Sequence, residues 1–384
     1  MPAEGTTYLI DKNGGGDFLN FATAIAASAD GDTFLVAAGG YSGNNNKNLD
    51  FEGRNLTFIS RDGVRAAWLS AGGSYSGMQI LRLHSGEDSR TVIDGIMFQG
   101  GRSDSVGGAI YLNGASPTFV DCEFRFSEAP SGGAIYCANA SPSFVDCKIL
   151  DSMATDGDGG GIYCVNSSPS FLRCRFFDHY AHGSGGGGCF VSSTPLFEAC
   201  AVSENEVSED GGGFAFLDCP AGSVIDLCTF RQNYARRGAG LWLGGNSFVD
   251  VTDCTMNTCS AYLQGSNVFC ESGSSPSFER TILSFGLHGE AVYCEDGSDP
   301  SFHHCLIYGN AAGDSLCANR AENLFEDPLY CDFYAVDYSV CSNSPCLPEN
   351  NEWGVLIGDR PEGCDSCNTP VESTSWGAIK ALFR

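Results

Sequence analysis

Positive charge is scarce in this sequence. Its 384 residues include 20 lysines and arginines against 47 aspartates and glutamates, which gives a formal net charge of -27. A nucleic-acid partner needs a basic surface, and an anionic membrane surface attracts basic segments, so the composition argues against both. The excess of acids is typical of a soluble protein that repels itself, or of one that collects divalent cations.

Long apolar runs are also missing. Nothing approaches the roughly 18 consecutive apolar residues that indicate a membrane-spanning helix. The opening MPAEGTTYLI lacks the basic and apolar regions of a leader peptide, so we expect that a leader has been removed or lies outside the sequence. The hydrophobic share of 42% is nevertheless large enough for a packed core, which argues against disorder.

Glycine, by contrast, is abundant, with 50 residues that cluster ahead of hydrophobic runs and mark repeated turns. Three successive segments read GGAIYLNGASPTFVDCEF, GGAIYCANASPSFVDCKI and GGGIYCVNSSPSFLRCRF. The cysteine near the end of each segment recurs along the chain at Cys122, Cys147, Cys174, Cys200, Cys228, Cys254 and Cys305. Thr281 takes the place of this cysteine between Cys254 and Cys305, and with Thr281 included the steps are 24 to 28 residues.

A fixed period of this length indicates a solenoid. The apolar residues fall in short runs of Ile, Val, Phe, Tyr and Cys between turn-forming residues, which favours strands over helices. A unit with about three short strands is one coil of a parallel β-helix, in which each strand pairs with its copy about 4.8 Å away. We therefore predict an all-β fold, a parallel β-helix solenoid.

The repeating pattern GGxIYxxxxSPxFxxCxF resembles the coils of right-handed parallel β-helix proteins of the pectate-lyase-like superfamily. It is closest to the non-enzymatic-looking repeats of bacterial secreted and surface proteins. The resemblance implies a right-handed solenoid, a short N-terminal helix that caps its mouth, and an extracellular or cell-surface location. It divides the chain into a cap with the first strand at 1–45, the coils at 46–326, a last coil with a cysteine-rich cap at 327–368, and a tail at 369–384.

The GGxIYC strand of each coil indicates which side chains face outward. Its two flanking columns are apolar in almost every coil, so we place both in the core, and the column between them must face out. This aromatic ladder can stack on sugar rings or contact a surface protein; cover by loops, or rings that only stabilise the sheet, are the alternatives. Six of its eight residues are aromatic: Tyr111, Tyr136, Tyr163, Trp242, Phe269 and Tyr293.

The cysteines divide into two groups. Those of the coils should point inward as free thiols, because neighbours about 4.8 Å apart exceed the Cβ spacing of about 3.8 Å that disulfides prefer. The last six leave the repeat, and we predict that they form disulfides that close the end, which leaves 14 of the 20 cysteines free. These six are Cys317, Cys331, Cys341, Cys346, Cys364 and Cys367.

Candidate catalytic residues lie in loops, because the outward positions of the GGxIYC strand carry no paired carboxylates for a hydrolase. Lyases of the superfamily that the chain resembles use Ca²⁺ held by acids, together with a Lys or Arg base. The loops offer four acids, which are also the candidate Ca²⁺ ligands, and two bases: Asp156, Asp158, Glu209, Asp210, Arg236 and Arg237. Solvated turn residues are the alternative. His179 and His182 form a further candidate pair for metal binding or acid–base chemistry.

Three functions follow from these features. The first is a secreted or cell-surface, non-catalytic protein that binds a glycan or a partner through the aromatic ladder. The second is a polysaccharide lyase or glycoside hydrolase, and the third is a structural surface rod or filament subunit. The absence of outward carboxylates on the GGxIYC strand disfavours the second, and the ladder favours the first over the third. The tail, with SWGAIKALFR, is a sorting or anchoring segment by resemblance, or a capping helix by its apolar spacing.

Overall fold

The computed structural model describes residues 5–72, 77–295, 297–317, 321–333, 335 and 337–367. Within these ranges, four parallel sheets run along a right-handed β-helix, so the predicted fold is confirmed. No helix in the described residues is long and apolar enough to cross a membrane.

Two sheets run almost the whole length of the described solenoid. Sheet 1 holds twelve strands of the described chain: Thr7–Ile10, Thr33–Val36, Thr57–Ser60, Val92–Asp94, Thr118–Val120, Ser143–Val145, Ser170–Leu172, Leu196–Glu198, Ser223–Asp226, Val249–Thr252, Ser277–Glu279 and Ser301–His303. Sheet 2 holds eleven: Gly39–Ser42, Ala67–Ser70, Ile96–Gln99, Glu123–Arg125, Lys148–Leu150, Arg175–Phe177, Ala201–Ser203, Thr229–Arg231, Thr255–Asn257, Ile282–Ser284 and Leu306–Tyr308.

Two shorter sheets complete the coils. Sheet 3, built from the GGxIYC segments, comprises Leu81–Leu83, Ile110–Asn113, Ile135–Ala138, Ile162–Val165, Gly188–Val191, Phe214–Leu217, Leu241–Gly244, Val268–Cys270 and Val292–Cys294. Sheet 4 comprises Glu128–Ala129, Met153–Ala154, Tyr180–Ala181, Glu206–Val207, Tyr234–Arg237 and Ser260–Gln264.

The turn between sheets 1 and 2 places the repeated cysteine in the core. The residue before it adopts a left-handed conformation, with φ of 50° at Asp121 and 54° at Asp146, which Asp tolerates better than most residues. The cysteines then line up coil on coil, and the backbone N–H of Cys200 donates to the Sγ of Cys228 at 3.3 Å. Thr281 fills its place in this row because its hydroxyl donates to the Glu279 carbonyl at 3.0 Å.

Fourteen of the 20 cysteines are free and buried, as the spacing predicts. The assignment was wrong at two positions. Cys346, expected in a disulfide, is a buried free thiol, and Cys294, placed in the core row, bonds Cys317. Cys294 lies in the last strand of sheet 3, where no further coil covers it, so its thiol can meet the segment that follows.

Next to the cysteine row runs a polar row inside the core, where sheet 2 turns toward sheet 4. The backbone N–H of Ser152 donates to His179 Nδ1 at 3.2 Å, and the N–H of His179 donates to Asn205 Oδ1 at 3.1 Å. The Nε2 of His179 lies 3.0 Å from the Ile149 carbonyl oxygen, so it must carry the proton. His179 is therefore a buried core residue, while His182 is exposed, and the two do not form the expected pair.

Glycine is required where sheets 4 and 3 connect, because successive coils approach closely there. A Cβ on Gly133 would lie 2.2 Å from the carbonyl oxygen of Gly160 and 2.6 Å from that of Met153. No side chain fits in this space, which explains why the glycine pairs recur with the coil.

The N-terminal helix, Phe21–Ala27, is present as predicted. Asn20 caps it by accepting a hydrogen bond from the Thr23 N–H, and Phe21, Ala24 and Ile25 are buried. Three strands of sheets 1 and 2 already lie within residues 1–45, so the coils begin before residue 46. A short 3₁₀ helix follows at Asn44–Asn46.

The cysteine-rich segment forms a separate three-stranded sheet instead of a last coil. Its strands are Tyr330–Asp332, Asp337–Cys341 and Glu362–Cys364, with a 3₁₀ helix at Pro348–Asn350. This C-terminal cap packs against Ile282 and Leu306 on the outer face of sheet 2. The disulfides Cys331–Cys364 and Cys341–Cys367 link its strands and the residues after them. The predicted tail at 369–384 lies outside the described residues.

Candidate functional site

The aromatic ladder lies on the outer face of sheet 3 and falls into two parts. Tyr111, Tyr136 and Tyr163 are register partners on successive strands and are half-buried. Their ring centroids are 5.6 and 5.9 Å apart. The first two rings are nearly parallel, so each covers part of the other's face. This tyrosine row therefore exposes ring edges and hydroxyls more than open ring faces.

The second part of the ladder is covered. The sequence predicts that these rings face solvent. Phe269, however, has no exposed surface and Trp242 is only 9% exposed. The guanidinium of Arg237 lies over the Phe269 ring, 4.6 Å from its centroid, and Tyr293 stacks on the same ring at 5.4 Å. Cys189 and Ala215 separate the two parts and are buried as well. The six predicted ligand-binding rings therefore do not form one continuous platform.

Arg237 belongs to an ion-pair cluster at the edge of sheet 3. It pairs with Asp210 at 2.6 Å and with Glu271 at 2.9 Å, while Arg236 pairs with Glu209 at 2.7 Å. The hydrogen bonds that Arg237 donates to the Asp210 carboxylate raise the pKa of Arg237 above its usual range, the opposite of what a catalytic base requires. Four of the predicted loop residues thus meet, and their contacts are those of a structural clamp over Phe269.

Calcium does not fit this cluster, because the Asp210 carboxylate is already paired with two guanidinium groups. Asp158 lies apart from it and accepts a hydrogen bond from the Ser184 N–H at 2.7 Å, while Asp156 is in contact with Thr155. Within the part of the chain that the structure describes, one group of three potential metal-ligating atoms lies within 4.8 Å of one another, at Cys331, Cys341 and Cys364. No such group in that part contains a carboxylate. Calcium at Asp156 and Asp158 stays a prediction.

A groove that the sequence reasoning missed lies on the outer face of sheet 1. It has a volume of about 400 Å³ and crosses four coils. Its outward side chains alternate between small polar and apolar residues, and two carboxylates lie at one end. They are Ser143, Val145, Ser170, Leu172, Leu196, Glu198, Val224 and Asp226.

The two carboxylates of this sheet 1 groove stand side by side. Glu198 and Asp226 are register partners on neighbouring strands, which places their Cα atoms about 4.8 Å apart. Partial burial raises the pKa of Asp226, and the negative charges of Asp253 and Glu198 raise it further. Two adjacent carboxyl groups, one of which has a raised pKa, are a candidate acid and partner for acid–base chemistry.

The groove has a signal in the sequence. The residue two positions before each core cysteine faces outward from sheet 1, and Glu198 and Asp226 occupy this position before Cys200 and Cys228. The absence of outward carboxylates predicted from the sequence concerns only the GGxIYC strand, which forms sheet 3, and the paired outward carboxylates lie on sheet 1. The lack of outward carboxylates on sheet 3 therefore disfavours hydrolysis only on the face with the aromatic ladder.

Comparison with known proteins supports the fold. The sequence profile described as "Right handed beta helix region" matches residues 184–327. No curated protein matches the chain. The crystal structure of the pectate lyase Pel9A aligns over 94% of this chain and 97% of its own, with a TM-score of 0.53 and 12% identity. The resemblance to right-handed parallel β-helix proteins is thus confirmed, and at this identity the likeness shows the fold alone.

Two other solved structures align less well. The alignment with a pectin methylesterase from carrot covers 84% of this chain and 88% of the methylesterase chain, with a TM-score of 0.34 and 12% identity. An alginate lyase covers 89% of this chain and 58% of its own, with a TM-score of 0.37 and 11% identity.

Proposed function

We propose that this right-handed β-helix is an extracellular protein that binds a neutral polysaccharide in the sheet 1 groove. The observation that carries the proposal is the groove itself, an open cleft of about 400 Å³ that runs along the solenoid axis. This volume is within the range of ligand sites in proteins. The three disulfides support an oxidising, extracellular location.

The lining of the groove suits a sugar chain. Val145, Leu172, Leu196 and Val224 offer apolar contacts for the C–H faces of sugar rings, and Leu196 is 46% exposed. Together these four side chains make a contiguous apolar patch, which is the kind of surface that marks a binding site. The serines and carboxylates supply partners for sugar hydroxyls. Because equivalent positions recur every 4.8 Å or so, successive sugars of a linear chain meet similar contacts.

Charge favours a neutral over an acidic polysaccharide. Glu198 and Asp226 lie in the groove, and the Arg280 guanidinium, which lowers the pKa of Asp226, is already bonded to Asp253 at 2.6 Å. The net charge of the chain is -27. A uronate chain would therefore meet repulsion both in the groove and at a distance.

Hydrolysis is a second candidate function, and the pairing of Glu198 with Asp226 favours it. Glycosidases place two carboxyl groups at the scissile bond, one of which must stay protonated until it donates to the leaving oxygen. The raised pKa of Asp226 suits it for this role, and Glu198 is the partner carboxylate.

The tyrosine row stays a prediction as a second contact surface for a glycan or a surface protein. Tyr136 and Tyr163 have pKa values raised by burial, so their hydroxyls stay protonated and can donate hydrogen bonds. Because the rings stack on each other, we assign the row a smaller part in binding than the groove.

Affinity electrophoresis in gels that contain glucans, mannans, xylans, polygalacturonate or alginate tests the proposed function. We expect retardation by at least one neutral polysaccharide, and binding to the two uronates at least tenfold weaker at low salt, because screening weakens repulsion as salt rises. Tighter binding to a uronate than to every neutral chain would refute the proposal. New reducing ends in a neutral substrate, lost in Asp226→Asn, would establish the second candidate function.

A further inference from the structure

The C-terminal cap brings four cysteines to one place. Cys331 and Cys341 lie on the two antiparallel strands of the cap, and Cys364 and Cys367 follow as a CxxC pair at its edge. They form the disulfides Cys331–Cys364 and Cys341–Cys367. The Sγ atoms of Cys341 and Cys364, which belong to different disulfides, are 3.5 Å apart. The two bonds therefore lie against each other.

This cluster has the size of a tetrathiolate metal site. Zinc binds four thiolates tetrahedrally at about 2.3 Å, which puts neighbouring sulfurs about 3.8 Å apart. The Sγ atoms of Cys331, Cys341 and Cys364 already lie within 4.8 Å of one another, and Cys367 is bonded to one of them. Reaching the tetrahedron requires each bonded pair to separate from about 2.0 to about 3.8 Å.

We propose that the four cap cysteines, Cys331, Cys341, Cys364 and Cys367, bind one Zn²⁺ when both of their disulfides are reduced. Each disulfide takes two electrons and two protons from a dithiol reductant, which becomes a cyclic disulfide, and yields two thiols. Zn²⁺ then replaces the four thiol protons, which are released, and forms four Zn–S bonds. The cap thus has an oxidised state with two disulfides and a reduced state with one metal.

The backbone of the cap holds the ligands in place for this exchange. Tyr330 pairs with Val340, which fixes the strands that carry Cys331 and Cys341. On the other side, Asn343 Oδ1 accepts from the Cys367 N–H at 2.9 Å and its Nδ2 donates to the Cys367 carbonyl at 3.1 Å. Ligands that are already positioned lose little conformational entropy when the metal binds.

The free thiols of the coils are buried in the core, where a metal ion from solvent does not reach them. Burial raises the pKa of Cys270 and of Cys305 to about 12, and such thiols stay protonated and inert. Cys331, Cys364 and Cys367 are partly exposed, so a reductant and a metal ion can reach them. Zinc would then keep the cap folded on Ile282 and Leu306 after the disulfides are broken.

Cobalt titration of the reduced full chain tests the proposal. After reduction and anaerobic desalting, the wild-type protein should bind one equivalent of Co²⁺, with thiolate charge-transfer bands and the visible bands of a tetrahedral site. One equivalent of Zn²⁺ should abolish these bands. We expect Cys331→Ser and Cys367→Ser each to lose the tetrathiolate spectrum. Cys317→Ser, which removes a thiol of the third disulfide, should retain it.

Two outcomes overturn the proposal. The first is an absence of stoichiometric cobalt binding by the reduced wild-type chain, provided that its far-UV circular dichroism still shows the β-helix. The second is an unchanged spectrum in both cap variants, which would place the metal elsewhere. Zinc should also raise the resistance of the reduced cap to proteolysis in wild type and in Cys317→Ser, and not in Cys331→Ser.

Discussion

Wild type is expected to lose about 3 kcal/mol of unfolding free energy between pH 7 and pH 4 through His179, and His179→Asn should not show this loss. Burial lowers the pKa of His179 from 6.5 to about 4 in the folded state. Between these values the unfolded chain binds the proton and the folded chain does not, so the free energy of unfolding falls as pH falls from 6.5 to 4. A shift of about 2.5 units corresponds to about 3 kcal/mol.

Asparagine is the right substitute because the same row already contains it. Asn205 accepts the N–H of His179 at 3.1 Å and donates from Nδ2 to the Phe176 carbonyl at 3.3 Å. Phe176 is the register partner of Ile149, whose carbonyl His179 contacts. Asn at position 179 can therefore form the bonds of the histidine without titrating.

Urea unfolding of both proteins at pH 7 and pH 4 checks this expectation. The free energy of unfolding of His179→Asn, relative to that of wild type, should be about 3 kcal/mol higher at pH 4 than at pH 7. His182→Asn, at an exposed histidine three residues on, should follow wild type at both pH values. An equal loss of stability in wild type and His179→Asn would contradict the account.

Replacing Leu196 with Glu is expected to weaken binding of a neutral polysaccharide at least tenfold. Leu196 is 46% exposed and lies among Leu172 and Val224 in the middle of the sheet 1 groove. The change removes an apolar contact and adds a charge that must lose water when the sugar binds, and 1.4 kcal/mol of lost contact is already a factor of ten. Isothermal titration with the polysaccharide identified by electrophoresis measures the loss.

The matched control for this variant is Leu263→Glu. Leu263 is 60% exposed on sheet 4, so the same chemical change is made away from the groove. We expect wild-type affinity for Leu263→Glu and wild-type thermal unfolding for both variants. Equal affinity of Leu196→Glu and wild type would show that the sugar does not contact the groove.

The coil could be predicted in detail because every repeat imposes the same physical constraints. The inward phenylalanines, such as Phe119 and Phe144, stack at 5.1 Å, and the cysteines that follow them are buried free thiols, as their spacing indicates. An error in one coil would break the register with the next, so the pattern had to be consistent. The N-terminal helix was predictable by resemblance, since it opens the solenoid.

The site was harder to predict, because a repeat does not specify which outward face is used. The aromatic residues of sheet 3 lie on its outer face, but Phe269 is buried there beneath Arg237, which comes from another coil. Glu198 and Asp226 belong to different repeats, so neither repeat taken alone shows a pair of carboxylates. The cap disulfides were predicted as a group, but Cys346 is buried in the core of the cap and Cys294 bonds Cys317 at the uncovered end of sheet 3.

The most direct test of the central claim is hydroxyl-radical footprinting of the protein with and without the neutral polysaccharide that it binds. Leucine and tyrosine side chains both react, so one experiment reports on both outward faces. The account predicts protection of Leu172 and Leu196 in the sheet 1 groove, with Leu263 unchanged. Protection confined to Tyr111, Tyr136 and Tyr163 would contradict it and would place the sugar on the tyrosine row.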